Sequence, residues 1–315
     1  MKKCLTLVLA LCLALGCVAC ASAEDKSYTV GILQLVQHEA LDAATQGFQD
    51  ALTEKLGDKV SFDLQNASND TAACTTIATT FVANEVDLIM ANATPALQAA
   101  MNATADIPIL GTSVTDYATA MGAADWNGTT GINVSGTSDL APLNGQAEMV
   151  KELFPDAQTV ALLYCSAEAN SAYQVNVIKG YLEEMGYSCK EYAFTDSNDV
   201  ASVAQLATEC DVIYIPTDNT AAAYTETIAN VVLPAAIPVV AGEEGLCRGC
   251  GVATLTISYY DIGYKTGEMA YDILVNGADI STMPIEFAPQ FVKKYNAENC
   301  KTLGIEIPEG YEALE

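Results

Sequence analysis

Short runs of β-branched and apolar residues alternate along this chain with longer segments whose apolar positions recur every three to four residues. That is the pattern of buried strands separated by amphipathic helices. Tyr28–Gln34 is the first strand. A helix follows from His38 to Gly57, with Leu41, Ala44, Phe48, Ala51, Leu52 and Leu56 on one face. Val60–Gln65 predicts a strand, Asn69 and Asp70 cap a helix reaching Ala83, and Asp87–Ala91 predicts a central strand. Thr94 reads as the N-cap of the next helix, with Pro95 at its first position. Strands at Ile107–Gly111 and Gly131–Ser135 end the first half.

The second half repeats this plan. It reads as helix Leu143–Phe154, strand Thr159–Tyr164, helix Ser171–Met185, strand Ser188–Phe194 and helix Val200–Thr208. Strand Asp211–Ile215 follows, then a helix capped by Asp218 and Asn219, then strands Ile237–Ala241 and Gly251–Thr256. The long amphipathic helix Tyr259–Asn276 and a late strand, Pro284–Phe291, close the chain. The repetition extends to the residues themselves: VGILQ at Val30 returns as VALLY at Val160, VDLIM at Val86 as CDVIY at Cys210, and IPILGTS at Ile107 as IPVVAGE at Ile237. Two copies of one α/β unit predict two Rossmann-like lobes, each a doubly wound parallel sheet, with a ligand cleft between them. Ligands of open parallel sheets bind at the carboxyl ends of the strands. Here those ends are Gln37 to Glu39, Asn92 to Thr94, Thr112 to Asp116, Thr137 to Asp139, Ser166 to Ser171, Thr217 to Asn219, and Glu243-Glu244.

Residues 1–23 read as a signal peptide rather than part of the fold. Lys2 and Lys3 precede an apolar run from Leu5 to Gly16, too short for a spanning helix, and small residues follow. Three processing points stay open: a lipid anchor on Cys20 after CVA, lipidation of Cys17, or cleavage after Ala23. Each of them exports the protein. The formal charge of −27 excludes nucleic acid as a partner, because phosphate binding needs clustered Lys and Arg. Arg248 is the only arginine, which argues against a strongly anionic ligand.

Several constellations invite chemistry. His38, the single histidine, lies beside Glu39 and Asp42 and reads as cleft lining before catalysis. Cys247-Arg-Gly-Cys250 has redox or metal spacing, but there is no second CxxC, and the pair enters a strand through glycines. Seven cysteines remain after the signal region, an odd number set mostly in apolar segments, and they read as buried thiols. Trp126, the only tryptophan, reads as surface packing with a lid over a flat ligand as the alternative. Thr94 and Asp218 hold matched places in the two repeats. Thr94 offers a neutral hydroxyl suited to a carboxylate, Asp218 a charge suited to an ammonium, and Glu243 could join it. A zwitterion needs both kinds of group. No nucleophile elbow, Walker A loop or HExxH occurs, and neither a cofactor nor a metal is expected.

VGILQLVQHEALDAATQGFQDAL, DLIMANATPALQAA, IPILGTSVTDY, TGINVSGTSD, YIPTDNT and VATLTISYYDIGYKTGEMAYDIL together resemble ABC transporter substrate-binding proteins of the tryptophan/tyrosine type. The resemblance spans roughly residues 28–310. It implies a type I periplasmic-binding-protein fold with three crossings between lobes. It also implies an extracytoplasmic, monomeric receptor that hands a small ligand, such as an aromatic amino acid, to a membrane permease and its ATPase. Lobe 1 would take residues 24–140 and 258–282, and lobe 2 residues 141–257 and 283–315. Cleft positions carried over are Gln37, His38, Thr94, Ser113, Asp116, Ser138, Asn170, Asp218, Asn219 and Glu243. The expected roles are Thr94 with Ser113 for a carboxylate, Asp218 with Glu243 for an ammonium, and His38 for the side chain. CRGCG at Cys247 and the stretch Ala123–Asn127 depart from the family pattern. Two rivals share the architecture: a sensing module that presents ligand to a receptor, and an α/β enzyme.

Overall fold

A computed structural model describes residues 26–123 and 127–314. The signal region, with Cys17 and Cys20, and Trp126 lie outside the described residues.

The first sheet contains β1 (Tyr28–Gln34), β2 (Val60–Asn66), β3 (Leu88–Asn92), β4 (Ile109–Val114) and β5 (Val134–Ser138). Helices α1 (Glu39–Leu56), α2 (Thr71–Ala83), α3 (Thr94–Ala103) and α4 (Tyr117–Met121) connect them. Helix α5 (Leu143–Leu153) leads into the second sheet. That sheet holds β6 (Thr159–Cys165), β7 (Ser188–Phe194), β8 (Val212–Ile215), β9 (Val239–Ala241) and β10 (Ala253–Thr256). Its connections are α6 (Ala169–Glu184), α7 (Val200–Ala207), α8 (Asn219–Ala223), α9 (Thr225–Val232) and α10 (Glu244–Gly249). Helix α11 (Tyr259–Leu274), β11 (Glu286–Phe287), β12 (Val292–Tyr295), α12 (Ala297–Leu303) and β13 (Glu312–Ala313) complete the chain.

The strand orders are β11-β5-β4-β3-β1-β2 and β13-β12-β10-β9-β8-β6-β7. Each lobe therefore carries the same arrangement, with the order reversing between β1 and β3 in one and between β6 and β8 in the other. All pairings are parallel except β10 with β12. The two-lobed α/β fold expected from the repeat is present. Fully buried runs such as Leu88–Asn92 explain why the central strands read as continuous apolar segments.

Several boundaries differ from expectation for local reasons. Gly131, at φ 70°, turns the chain into β5, so the strand begins three residues later than Gly131. Ala93 occupies the cap position of α3 at φ 93°, and Thr94 is its first helical residue. In place of the late strand Pro284–Phe291 stand the short β11, which pairs with β5, and β12, which begins just after that span and pairs with β10 of the other sheet. The segment up to Phe287 thus joins the first sheet, and the last crossing lies between Phe287 and Val292 rather than at residue 283. The CRGC segment does not enter a strand, because Cys247 and Arg248 lie within α10.

Helix α11 returns to the first lobe because it packs along α1 at very short range. A Cβ on Gly47 would sit 2.1 Å from the Tyr260 carbonyl oxygen, and one on Gly263 would sit 2.0 Å from that of Ala44. The two backbones touch where neither helix carries a side chain. Gly180, on α6, has nothing within 4 Å of the same position. Gly263→Ala should therefore cost about 1–3 kcal/mol by overpacking. Gly180→Ala should gain about 0.5–1 kcal/mol from helix propensity. Urea midpoints of the two variants would measure this, and equal shifts would contradict the packing described.

Candidate functional site

The strand order reverses beside β1 in the first lobe and beside β6 in the second, so the crevices at the carboxyl ends of β1/β3 and β6/β8 are the natural ligand positions. In the first lobe these ends lead into α1 and α3, and neither helix has a side-chain cap. Ala93 at φ 93° and Ser113 at φ 53° are non-glycine residues in left-handed backbone, each a strained conformation costing on the order of 1–3 kcal/mol. The pairing of β4 with β5 slips in register between Gly111 and Val114, around Ser113. Surrounding bonds hold the bend: Tyr117 OH donates to Thr137 O at 3.1 Å, and Ser138 Oγ donates to Thr115 O at 2.9 Å.

Six buried side-chain atoms among the described residues find no hydrogen-bond partner in the protein: Asn92 Oδ1, Thr94 Oγ1, Ser113 Oγ, Asp139 Oδ1, Asn170 Oδ1 and Thr254 Oγ1. Leaving such a group unpaired costs about 1–3 kcal/mol. Five of the six sit at strand ends or within the loop and first helical residues that follow them, four in the first lobe and Asn170 in the second. Thr94 and Ser113 are thus hydroxyl groups with free hydrogen-bonding capacity at adjacent strand ends, which the backbone pair Ala93 N to Thr112 O (3.0 Å) ties together.

The second lobe is built differently. Glu168, 4 % exposed, accepts from Asn219 N and Nδ2 and from Thr220 N and Oγ1, at 2.6–3.1 Å. Asp218, 0 % exposed, accepts from Ala221 N at 2.8 Å and from Cys165 N at 2.6 Å. Asn170 Nδ2 donates to Glu168 Oε2 and Thr217 O, which leaves its Oδ1 unpaired. Burial first, then the Glu168 charge, pushes the Asp218 carboxyl up to about 7. Glu243 is likewise buried and pushed up to about 7 by burial, although Gly245 N and Leu246 N donate to it. Asp139 rises to about 6, also through burial, while accepting from Tyr259 OH at 3.0 Å.

These geometries change several expected roles. Thr94 does not cap its helix, so its hydroxyl is not consumed there. Asp218 and Glu243 do cap theirs, and both oxygens of each are engaged. Glu243 is therefore a structural cap of α10. Ser138 is tied into the β4–β5 bend and also accepts from Leu140 N. Asp116 caps α4 through Oδ1 and faces Tyr173 of α6, whose phenol is raised by burial and then by the Asp116 charge. Gln37 is exposed in a cavity of about 250 Å³ between the lobes, which His38, Ala222, Glu243 and Arg248 also line. Glu168 was not singled out from the sequence. Its only signal there was a place in the loop after β6.

His38 Nε2 lies 3.3 Å from Asn219 Oδ1. Glu168 holds the Asn219 amide nitrogen, so Oδ1 must accept and His38 must carry its proton on Nε2. Burial lowers the His38 pKa, which keeps the imidazole neutral, and it serves as a contact between lobes. Asn69 Nδ2 to Thr220 Oγ1, at 2.8 Å, and Arg248 to Glu39 also cross the gap. The thiols are free and held in their protonated form: burial raises Cys165 to about 11 and Cys250 to about 12, and takes Cys247 well above the ordinary thiol value. They are poor nucleophiles in that state. No group of three or more metal-ligating side chains occurs among the described residues.

The sequence profile of ABC transporter substrate binding proteins matches residues 29–313. A tyrosine-binding protein of Clostridioides difficile (strain R20291) is 36 % identical over 287 residues, covering 90 % of this chain and 83 % of that protein. A Streptococcus pneumonia ABC domain crystallised with L-Trp superimposes with a TM-score of 0.87 at 32 % identity, over 92 % of this chain and 100 % of that one. A ligand-free, open substrate-binding protein with adhesive properties from Clostridium difficile is more alike in sequence, at 38 % identity. Its TM-score is nevertheless only 0.69, over 91 % of this chain and 99 % of that one. This chain thus superimposes better on the L-Trp-bound domain than on the open, ligand-free one, in keeping with the side-chain contacts across the gap. The chain belongs to the family of ABC transporter substrate-binding proteins.

Proposed function

We propose that this protein captures an aromatic amino acid, with L-tyrosine or L-tryptophan the fitting choice, between its two lobes and delivers it to the permease and ATPase of an ABC importer. We read it as an exported monomer tethered through a lipid on Cys20. The observation that carries the ligand class is the set of unpaired buried polar atoms at the facing strand ends. Thr94 Oγ1 and Ser113 Oγ, beside the uncapped start of α3, suit a carboxylate. Asn170 Oδ1, an acceptor next to the Glu168–Asp218 carboxylates, suits an ammonium. Those two acids are compensated by backbone N–H, hydroxyl and amide groups, and no Lys or Arg is among the donors found for them. The aromatic side chain rests on the ligands of the relatives. Gln37, His38, Asp116 and Tyr173 are the groups we place towards it.

A ligand that bridges both lobes binds only the closed form, so it shifts the population towards closure. The permease then recognises the closed shape.

In a thermal-shift series across amino acids, sugars and nucleosides, L-tyrosine or L-tryptophan should raise the melting temperature. A response to a sugar or nucleoside alone would overturn the ligand class. Thr94→Val and Ser113→Ala should each weaken binding by about 10- to 100-fold, the value of a hydrogen bond to a charged group. Neither should lower ligand-free stability, because each removes a hydroxyl with no protein partner. A loss of stability without a loss of affinity would assign both residues to the fold.

The acid pair also predicts a pH dependence. The folded-state pKa of Asp218, about 7, lies above its ordinary value of 3.8, so between these values the folded protein holds a proton that the unfolded chain releases. Ligand-free stability should therefore increase as pH falls through that window. A ligand ammonium favours the charged carboxylate, so binding expels the proton. Affinity should then rise from about pH 5.5 to 7.5, by at most about tenfold per pH unit. Calorimetry in buffers of different ionisation enthalpy would read the released proton, and net uptake would contradict the assignment.

A further inference from the structure

We propose that Arg248 is a positioning residue for closure: it sets ligand affinity by holding the two lobes together, without contacting the ligand. The inference rests on the closing-cleft reading above. Arg248 is the only arginine in the chain. It stands on α10 of the second lobe and presents Nε and Nη2 to both carboxylate oxygens of Glu39, at 2.9–3.2 Å. Glu39 opens α1 of the first lobe, so this two-pronged pair spans the gap. Nη2 also donates to Glu244 Oε1 at 2.8 Å, and Glu244 Oε2 accepts from Lys294 Nζ at 2.6 Å. Lys294 lies on β12, just after the last crossing. Four alternating charges, Glu39, Arg248, Glu244 and Lys294, thus run from one lobe across the gap to the strand where the chain re-enters the other.

The pair matters through what would face Glu39 without it. Across the gap lie Glu243 and Glu244, and the Glu39 charge already contributes to the raised pKa of Glu243. In a chain with a formal charge of −27, closure brings acids together. Arg248 turns that contact from repulsion into attraction. The side chains of Arg248 and Glu39 are 36 % and 47 % exposed, so the attraction is modest and screened by salt. A modest bias is enough, because apparent affinity scales with the fraction of molecules able to close. The guanidinium is directed at carboxylates and not at the unpaired atoms of Thr94, Ser113 and Asn170.

Small-angle scattering of the ligand-free full chain, with calorimetric titration of L-tyrosine, would test this for Arg248→Met, Glu39→Gln and the double variant. At low salt both single variants should show a larger radius of gyration than the parent. Each should bind L-tyrosine about three- to tenfold more weakly. The double variant should be no more open than Arg248→Met. Raising the salt should open the parent while leaving Arg248→Met nearly unchanged. An unchanged radius of gyration in both single variants, or additive effects in the double variant, would overturn the proposal. A parent that ignores L-tyrosine would count against the ligand reading alone, since the scattering of ligand-free protein still decides the role of Arg248.

Discussion

Every helix that starts at a strand end must satisfy its first backbone N–H groups, and the matched helices α3 and α8 meet this constraint in opposite ways. At α8, carboxylates take the task. Glu168 and Asp218 receive the first three N–H groups of α8, while Glu243 receives the second and third of α10 and Asp116 one of α4. In the first lobe, α1 and α3 open at the cleft without any side-chain cap. Beside α3 the cleft is therefore left with a helix-start dipole and the unpaired hydroxyls of Thr94 and Ser113, and beside α8 with the buried carboxyl groups of Glu168 and Asp218. The polarity across the gap follows from how helix ends are closed, before any ligand is considered. In the function proposed above, it would favour a zwitterion with its carboxylate towards the first lobe.

Much of this was readable in the chain. The return of VGILQ as VALLY and of IPILGTS as IPVVAGE announced two equivalent sheets, and apolar runs of strand length located nearly all of their members. The strand ends carrying Thr94, Ser113, Asn170 and Asp218 could be found because parallel sheets place ligands there. What could not be read was the state of each polar group. Asp218 and Glu243 look like available charges in a sequence, yet backbone N–H groups two or three residues on, and that of Cys165 for Asp218, take them up. Thr94 looks like a spent cap, yet the φ of 93° at Ala93 moves the helix start and frees the hydroxyl. Glu168 was passed over because its partners, Asn219 and Thr220, lie some fifty positions away. The late strand divided because β11 and β12 are each too short to show a pattern, and which sheet a strand joins depends on pairing rather than composition.

The duplicated plan is also broken in a useful way. Neutral hydroxyls at one strand end are matched by acids at the other, so symmetric backbones carry complementary chemistry. The contacts that close the gap, from His38 to Asn219 and from Asn69 to Thr220, use the residues beside those ends. Closure and recognition are therefore neighbours on the same loops, and a ligand that draws those loops together also completes the contacts around it.

The packing of α11 against α1 has a consequence for how the molecule is made. Gly47 meets the backbone of Tyr260, and Gly263 that of Ala44, although more than two hundred residues separate the partners in the chain. The first lobe cannot bury that face until strands β6 to β10 of the second lobe have been synthesised. Long-range contacts of this kind form late, because the loop between them must be closed first. Strands β12 and β13 of the second sheet follow α11 in the chain, so neither lobe, nor the gripping surface between them, is complete until the last part of the polypeptide has arrived.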